Sequence, residues 1–306
     1  MKNIICIYHG VDYDGKCSAA IVNDIFYKEK VFNIPVDHDY DADTFFDNLN
    51  SISALVNYII DDVFIVDFCF KIDVMKALIT RYDNKLHWID HHVSAIEMMK
   101  KANLVPTGKY SLQKIGDGAC KLVWKQLFPN LVIPRAVNYI FMHDVWDKTE
   151  WEYTEYFHNG LDIRHWANNP GDNSNWHYLF NDYEDSCLTN SIIKDGVIIT
   201  SYIKNNHKEY AKNAFEMELE GLKLICINKL NTNSSILDSI WDKTKYDAIM
   251  TFGFDGTNWR FSLYANNNDK VDVSKIAIKF GGGGHKGASG FYVKEIPEEI
   301  KRRFNV

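Results

Sequence analysis

The sequence predicts an α/β protein, with a doubly wound, mainly parallel sheet in its larger N-terminal part, a helical linker, and a smaller α/β domain after it. Three observations predict this. Apolar runs the length of buried strands alternate with amphipathic stretches over residues 1–90. A long amphipathic stretch follows around residue 200, and beyond it strand-like runs outnumber helical ones. With 306 residues, of which 46% are hydrophobic, the chain can bury a core large enough for two domains.

In order, residues 4–8 read as a strand, 16–27 as a helix, 31–36 as a strand and 45–60 as mainly helical. A strand at 63–66, a helix at 74–82 and a strand at 86–89 continue the alternation. Residues 118–128 and 135–142 read as helices punctuated by Pro129 and Pro134, so that Asp144 follows a helix rather than a strand. Residues 151–186 mix aromatics with Asn, Asp and His, which suits short helices and loops. Residues 190–215 read as one amphipathic helix, with Ile193, Val197, Ile198, Tyr202 and Ile203 near one face. Strands at 221–227, 246–254 and 259–264, a helix at 273–280, a tight loop over 281–285 and a strand at 290–293 complete the chain. The expected domains are 1–187, a linker 188–216, and 217–306.

Composition excludes several functions. A net charge of −7 argues against long nucleic acid held along a basic stripe, and leaves room for a small anionic substrate bound through metal. Cys6, Cys17, Cys69, Cys120, Cys187 and Cys226 form no C-x-x-C pair and read as reduced thiols of a cytoplasmic protein. The apolar run ending at His9 is too brief for a signal-peptide core, and none approaches the roughly 18 apolar residues of a membrane span.

Four segments end in a carboxylate after an apolar run: His9-Gly-Val-Asp12-Tyr-Asp14-Gly15, Asp67, Asp90-His91-His92 and His143-Asp144. In an open parallel sheet, ligands sit beyond the carboxyl ends of the strands, so Asp12, Asp14, Asp67 and Asp90 are expected to converge. Carboxylates gathered there repel one another and resist ionisation unless cations neutralise them, which points to divalent metal. Taken singly, each motif has a plainer reading. Asp-x-Asp-Gly is a common turn, Asp67 a helix cap, His91-His92 a polar strand end, and Gly281 to Gly284 a flexible turn. The joint occurrence favours a site, and four glycines before His285 let backbone N–H groups approach an anion.

As a set these residues resemble the DHH phosphoesterase superfamily, in its branch with a C-terminal DHHA1 domain. The resemblance rests on His9, Asp12, Asp14, Asp67, Asp90-His91-His92, Asp144 and the segment from Gly281 through His285 to Gly290, with Val271-Asp272-Val273-Ser274-Lys275-Ile276-Ala277 leading into it. It implies a DHH domain followed by DHHA1, with the active site in the cleft between them. It implies two divalent ions, manganese first and magnesium second. His9, Asp12 and Asp67 would hold one, and Asp14, Asp67, His91 and Asp144 the other, with Asp67 bridging. Imidazole and carboxylate donors without thiolate suit those metals. Asp90 would orient the site, His92 would contact the phosphate, and His285 could share that catalytic role. Gly282, Gly283, Gly284 and His285 would bind substrate.

The sequence departs from the family pattern in two places. In the superfamily's short-oligonucleotide nucleases the first His stands four residues before the first Asp, whereas His9 and Asp12 are three apart. Many members carry an Arg in the strand that here reads Phe261-Ser262-Leu263-Tyr264, leaving Arg260 or Lys286 to grip phosphate, and these two cations are not equivalent. The implied activity is hydrolysis of small nucleotides: short oligoribonucleotides or linear dinucleotides first, 3′-phosphonucleotides next. Cyclic dinucleotides and polyphosphate or pyrophosphate are rivals, and a silent nucleotide-binding module is the non-enzyme alternative. Trp146 and Trp166 are candidates for base stacking, although packing is the plainer reading of each. The expected partners are a small nucleotide or short oligonucleotide, with a homodimer left open and no membrane.

Overall fold

A computed structural model describes residues 1–181, 187–266 and 270–304. The chain divides into the units Met1–Thr200 and Ser201–Val306.

The first unit is organised by strands buried on both faces. Along β1 (Asn3–His9), Ile4, Cys6 and Tyr8 enter one core while Ile5 and Ile7 enter the other. β2 (Lys30–Val36) pairs beside it. β3 (Asp62–Val66) splits in the same way, with Phe64 and Val66 on one side and Val63 and Ile65 on the other. β4 (Leu86–Asp90) follows, and the two-residue β5 (Leu112–Gln113) closes the edge. The order is β2-β1-β3-β4-β5 and every pairing is parallel. Two-sided burial explains why β1, β3 and β4 read as apolar runs, while the edge strands β2 and β5 are less buried.

Helices cover both faces, as a doubly wound sheet requires. α1 (Tyr13–Ile25) packs on one face, and α2 (Ala42–Leu55), α3 (Ile72–Tyr82) and α4 (Val93–Lys101) pack on the other. α5 (Ala119–Leu127), α6 (Arg135–Asp144), α7 (Trp151–Asp162) and α8 (Asn173–Phe180) join α1. At the amino ends of β3 and β4, buried His87 places Nε2 2.9 Å from Asp62 Oδ1.

Several boundaries differ from the sequence expectation. α1 begins three residues early because Asp12 caps it, accepting from the Gly15 N–H at 3.0 Å. The helix expected over 45–60 stops at Leu55, since Asn57 and Tyr58 take positive φ (51° and 62°) and turn the chain toward β3. Asp144 is the last residue of α6 rather than lying beyond the helix. Residues 151–181 are mostly helical, and 182–186 lie outside the described residues. α4 and β5 were not anticipated.

The long helix α9 (Cys187–Ala211) ends four residues before the expected limit. Phe215 instead opens β6 (Phe215–Leu219), whose alternation of Met217 and Leu219 with Glu216 and Glu218 is that of a half-buried strand. Glu220 (φ 52°) and Gly221 (φ 76°) turn it tightly into β7 (Leu222–Asn228). β8 (Ala248–Phe254), β9 (Trp259–Ala265), α10 (Ser274–Lys279), β10 (Gly283–Gly284), β11 (Ala288–Val293) and α11 (Glu298–Phe304) follow. The second sheet runs β10-β11-β9-β8-β7-β6, with β7 and β8 its parallel pair. Part of the expected tight loop at 281–285 is therefore strand: Gly283 pairs with Gly290, and Gly284 with Ser289. No described helix is long and apolar enough to cross a membrane.

Candidate metal centre

Parallel register brings the ligand candidates to one level. Tyr8 pairs with Val66 and Val66 with Ile89, so the next row holds His9, Asp67 and Asp90 at the carboxyl ends of β1, β3 and β4. Asp67 takes a left-handed backbone (φ 56°), a conformation that Asp tolerates better than most residues, and its N–H donates to the Ile89 carbonyl at 3.0 Å. Asp12 and Asp14 come from the start of α1, and Asp144 from the end of α6. Gly15 sits so close to the His9 carbonyl that a Cβ would collide with it, which keeps α1 tight against β1.

The side chains converge in three overlapping groups: His9, Asp12 and Asp67; Asp14, His91 and Asp144; Asp67, His91 and His92. Within each group the donor atoms lie within 4.8 Å of one another. His9 Nδ1 is 2.7 Å from Asp12 Oδ2 and 3.7 Å from Asp67 Oδ2. His91 Nε2 is 3.3 Å from Asp67 Oδ1, 3.4 Å from Asp144 Oδ2 and 3.7 Å from Asp14 Oδ2. Asp67 thus turns one oxygen toward each imidazole, the disposition a bridging carboxylate needs. The three-residue spacing still brings His9 into the cluster, because Asp12 folds back as the cap of α1.

Supporting contacts fix several of these groups. Asp90, fully buried, accepts through Oδ1 from the N–H groups of His91 (2.7 Å) and His92 (3.1 Å), and the same oxygen lies 2.7 Å from His92 Nδ1. Asp14 accepts from the backbone N–H groups of Ala119 (2.6 Å) and Cys120 (2.8 Å) at the start of α5, where unpaired amides favour negative charge. Gly118 leaves no room for a side chain beside Phe141 and Asp14. The rings of Phe68 and His38 pack 6.1 Å and 5.4 Å from that of His9. Sequence reasoning missed these partners. Ala119, Cys120, Phe68 and His38 carry no motif, and the Asp14 to Ala119 contact spans 105 residues.

Electrostatics show a cluster that holds protons when it lacks cations. The Asp12 and Asp67 carboxylates raise His9 to about 10. For His91, burial pulls downward, but Asp67, Asp14 and Asp144 outweigh it and lift the imidazole to about 9. Burial pushes the Asp14 carboxyl up to about 7, with the neighbouring Asp67 charge adding to it. Burial, then the Asp14 charge, likewise takes Asp144 to about 7. Asp67 is raised chiefly by burial, and His92 chiefly by its hydrogen bond to Asp90. Asp12 goes the other way, since His9 and the Gly15 N–H outweigh its burial.

His9 Nδ1, Asp67 Oδ1, Asp90 Oδ2 and His91 Nε2 are buried without an aligned hydrogen bond. Such orphaned atoms are costly, and three of the four belong to the overlapping groups above. The overlapping groups that share Asp67 and His91 therefore have the buried imidazole and carboxylate donors that divalent cation binding requires. Carboxylate oxygens suit hard divalent cations and imidazole nitrogens first-row transition metals, so the mixed donor set suits a divalent cation without fixing which.

The remaining candidates lie in the second unit. Gly282, half-buried, packs its backbone against Gly290 and Phe291, while Gly283, Gly284, His285 and Lys286 are exposed. Gly284 takes a φ of 134°, which favours glycine. The His285 N–H donates to the Ala288 carbonyl at 2.8 Å, and the Lys286 carbonyl accepts from Val273 at 3.1 Å. Arg260 lays its guanidinium over the Tyr292 ring at 5.3 Å. Tyr264 donates to the Thr232 carbonyl at 3.4 Å.

No protein-family profile matches the chain. An uncharacterized protein of Acanthamoeba polyphaga mimivirus is 26% identical over 312 residues, covering 94% of this chain; the chain spans 66% of that relative's length. Among solved structures, a pGpG-specific phosphodiesterase, PggH, from Vibrio cholerae is similar with a TM-score of 0.53 at 13% identity, covering 100% of this chain and 97% of its own. An exopolyphosphatase-related protein from Bacteroides fragilis is similar with a TM-score of 0.54 at 16% identity, covering 99% and 90%. The exonuclease RecJ bound to manganese gives 0.50 at 12% identity, covering 99% and 88%. The chain therefore shares the fold of these three solved structures, a parallel five-stranded α/β sheet unit followed by a second unit with a mixed sheet.

Proposed function

We propose that this protein is a divalent-metal-dependent phosphoesterase of small nucleotides, with short oligoribonucleotides or linear dinucleotides as first substrates and manganese as first metal. The observation that carries the reading is the set of buried imidazole and carboxylate atoms left unaligned around Asp67. The likeness to a pGpG-specific phosphodiesterase makes a linear dinucleotide the first to try. In this reading residues 1–187 hold metal, 188–216 link, and 217–306 bind substrate.

A pair of divalent ions supplies charge neutralisation at phosphorus and makes water acidic enough to attack near neutral pH. The chain's own residues do the rest. Asp14, locked by two amides of α5, and Asp67, locked between β3 and β4, hold their oxygens in place without reorganisation. Asp90 accepts from His92 Nδ1–H and favours the imidazolium form, which then donates from Nε2 to a phosphoryl oxygen or to the departing alkoxide. The exposed amides and side chains around Gly283, Gly284, His285 and Lys286, with Arg260, are the proposed grip on a second phosphate or the sugar.

The test is a substrate panel with metal-stripped protein: pGpG, a five-residue RNA, a cyclic dinucleotide, 3′,5′-bisphosphoadenosine and polyphosphate, each with manganese or magnesium restored. Turnover of pGpG or RNA that returns with manganese is the expected outcome. Tight nucleotide binding with no turnover under any divalent ion would sink the enzyme reading and leave a silent binding module.

A further inference from the structure

Helix α6 closes with paired backbone hydrogen bonds: Trp146 donates to the His143 carbonyl at 3.3 Å, and Asp147 to the Met142 carbonyl at 2.9 Å. This cap needs one residue in left-handed backbone, a place glycine ordinarily takes. Here it is Trp146, with φ 56°. A bulky residue is strained in that conformation, and burial does not offset the strain because Trp146 is 61% exposed. Trp166 shows the contrast, being partly buried with its ring edge-on to the buried Trp176 at 5.4 Å. A strained, exposed indole two residues past Asp144 calls for a reason outside folding.

The ring geometry supplies one. Trp146 lies nearly parallel to Trp151, the first residue of α7 (5.2 Å, 16°). Trp151 in turn is parallel to His143 (5.5 Å, 12°), and His143 stacks on His158 (3.6 Å, 16°). His158 meets Tyr13 at right angles (5.3 Å, 78°), and Tyr13 stands between Asp12 and Asp14. Trp146, Trp151 and His143 thus form a three-ring cluster, with Trp146 also 6.2 Å from His143, and the ring contacts continue through His158 to Tyr13 on the ligand-bearing loop. The Cα atoms of Asp144 and Trp146 are separated by no more than about 7.6 Å, two virtual bonds of the chain. The Lys148 ammonium lies 2.9 Å from the Trp151 ring centroid and 4.3 Å from that of Trp146, on the side of Trp146 that faces Trp151 and so away from its outer face.

We infer that Trp146, backed by Trp151, is a stacking platform for the base of a nucleotide whose phosphate is held at the carboxylate and imidazole cluster. The inference rests on the phosphoesterase reading and narrows it to base-bearing substrates, since polyphosphate and pyrophosphate have no ring to stack. Every base has a flat π-face, so the platform selects nucleotides over ring-less phosphates and discriminates weakly among bases.

The test compares Trp146→Gly with Trp146→Phe. Glycine suits the left-handed position, so the Gly variant keeps the fold, melts no lower than wild type and binds manganese as tightly. Its KM for a linear dinucleotide rises roughly 10-fold, the order that loss of one stacked base gives, and the Phe variant recovers most of it. Selectivity for the dinucleotide over tripolyphosphate falls by the same factor. An unchanged KM in the Gly variant, with manganese-dependent turnover intact, overturns the platform and leaves the phosphoesterase standing. A wild type that hydrolyses nothing overturns the phosphoesterase instead, and AMP titration followed by tryptophan fluorescence then judges the platform. Quenching lost in the Gly variant supports it; equal quenching in both overturns it.

Discussion

The candidate centre in the first unit and the glycine segment in the second are built with opposite physics. Around Asp67 and His91, donor atoms are buried without aligned partners and imidazoles and carboxyls are driven to hold protons. Around Gly283 and His285 the backbone is exposed and pairs within its own sheet. The first region holds protons between its carboxylates where cations are absent, whereas the second pairs its backbone within its own sheet. Substitutions in the first are expected to act on metal binding and on the response to pH, and those in the second on local packing or on substrate grip.

The sharpest way to break this contrast is Asp67→Asn. Turnover is expected to fall by more than about 100-fold, since even residues behind metal ligands cost 10- to 100-fold. The metal-free variant is expected to melt lower than wild type near neutral pH, because His9 and His91 lose the carboxylate they share. Calorimetry without metal and kinetics with manganese check both halves, and an unchanged melting temperature would contradict the pairing of Asp67 with the two imidazoles.

Next in size is the response to pH. His9 and His91, raised from 6.5 to about 10 and 9, stabilise the metal-free fold below pH 6.5 and lose that contribution as pH rises through their folded values. Asp14 and Asp144, raised from 3.8 to about 7, act with the same sign at lower pH. His143 and His158, pushed by burial down to about 3 and 4, oppose them only below 6.5. Between pH 6.5 and 9 the metal-free melting temperature is thus expected to fall. Because metal needs the deprotonated ligands, the gain on adding manganese widens over the same interval.

Two glycines sharpen the other side. A Cβ on Gly282 would collide with the Gly290 carbonyl, so Gly282→Ala is expected to cost about 1–3 kcal/mol in the second unit while leaving manganese affinity unchanged. Gly283 has open space where its Cβ would sit and no positive φ, so Gly283→Ala is expected to fold normally. Any rise in its KM then reports on substrate grip alone, and is the smallest of these effects, about 2- to 5-fold for one hindered hydrogen bond.

Much of the centre was legible in the sequence, because β1, β3 and β4 are apolar runs that stop at His9, Asp67 and Asp90, and parallel pairing puts such ends together. What was not legible was non-local or short. The hold of α5 on Asp14 is made by main-chain amides that leave no trace in residue type. β5 has two residues, too few for a period. β6 was absorbed into the preceding helix, because Glu216, Met217, Glu218 and Leu219 suit either structure until the Glu220-Gly221 turn pairs them with β7.

β3 and β4 are pinned at both ends, by Asp62 with His87 at one and by Asp67 with His91 at the other. With five residues apiece, they act as spacers of fixed length. One inserted or deleted residue in either would send its side chains to opposite faces and separate one of the two pairs. Other apolar residues can replace those of the spacers, but the spacers cannot be stretched, and even the stretch over 102–111 is held to β4 through Gly108, Tyr110 and Ser111.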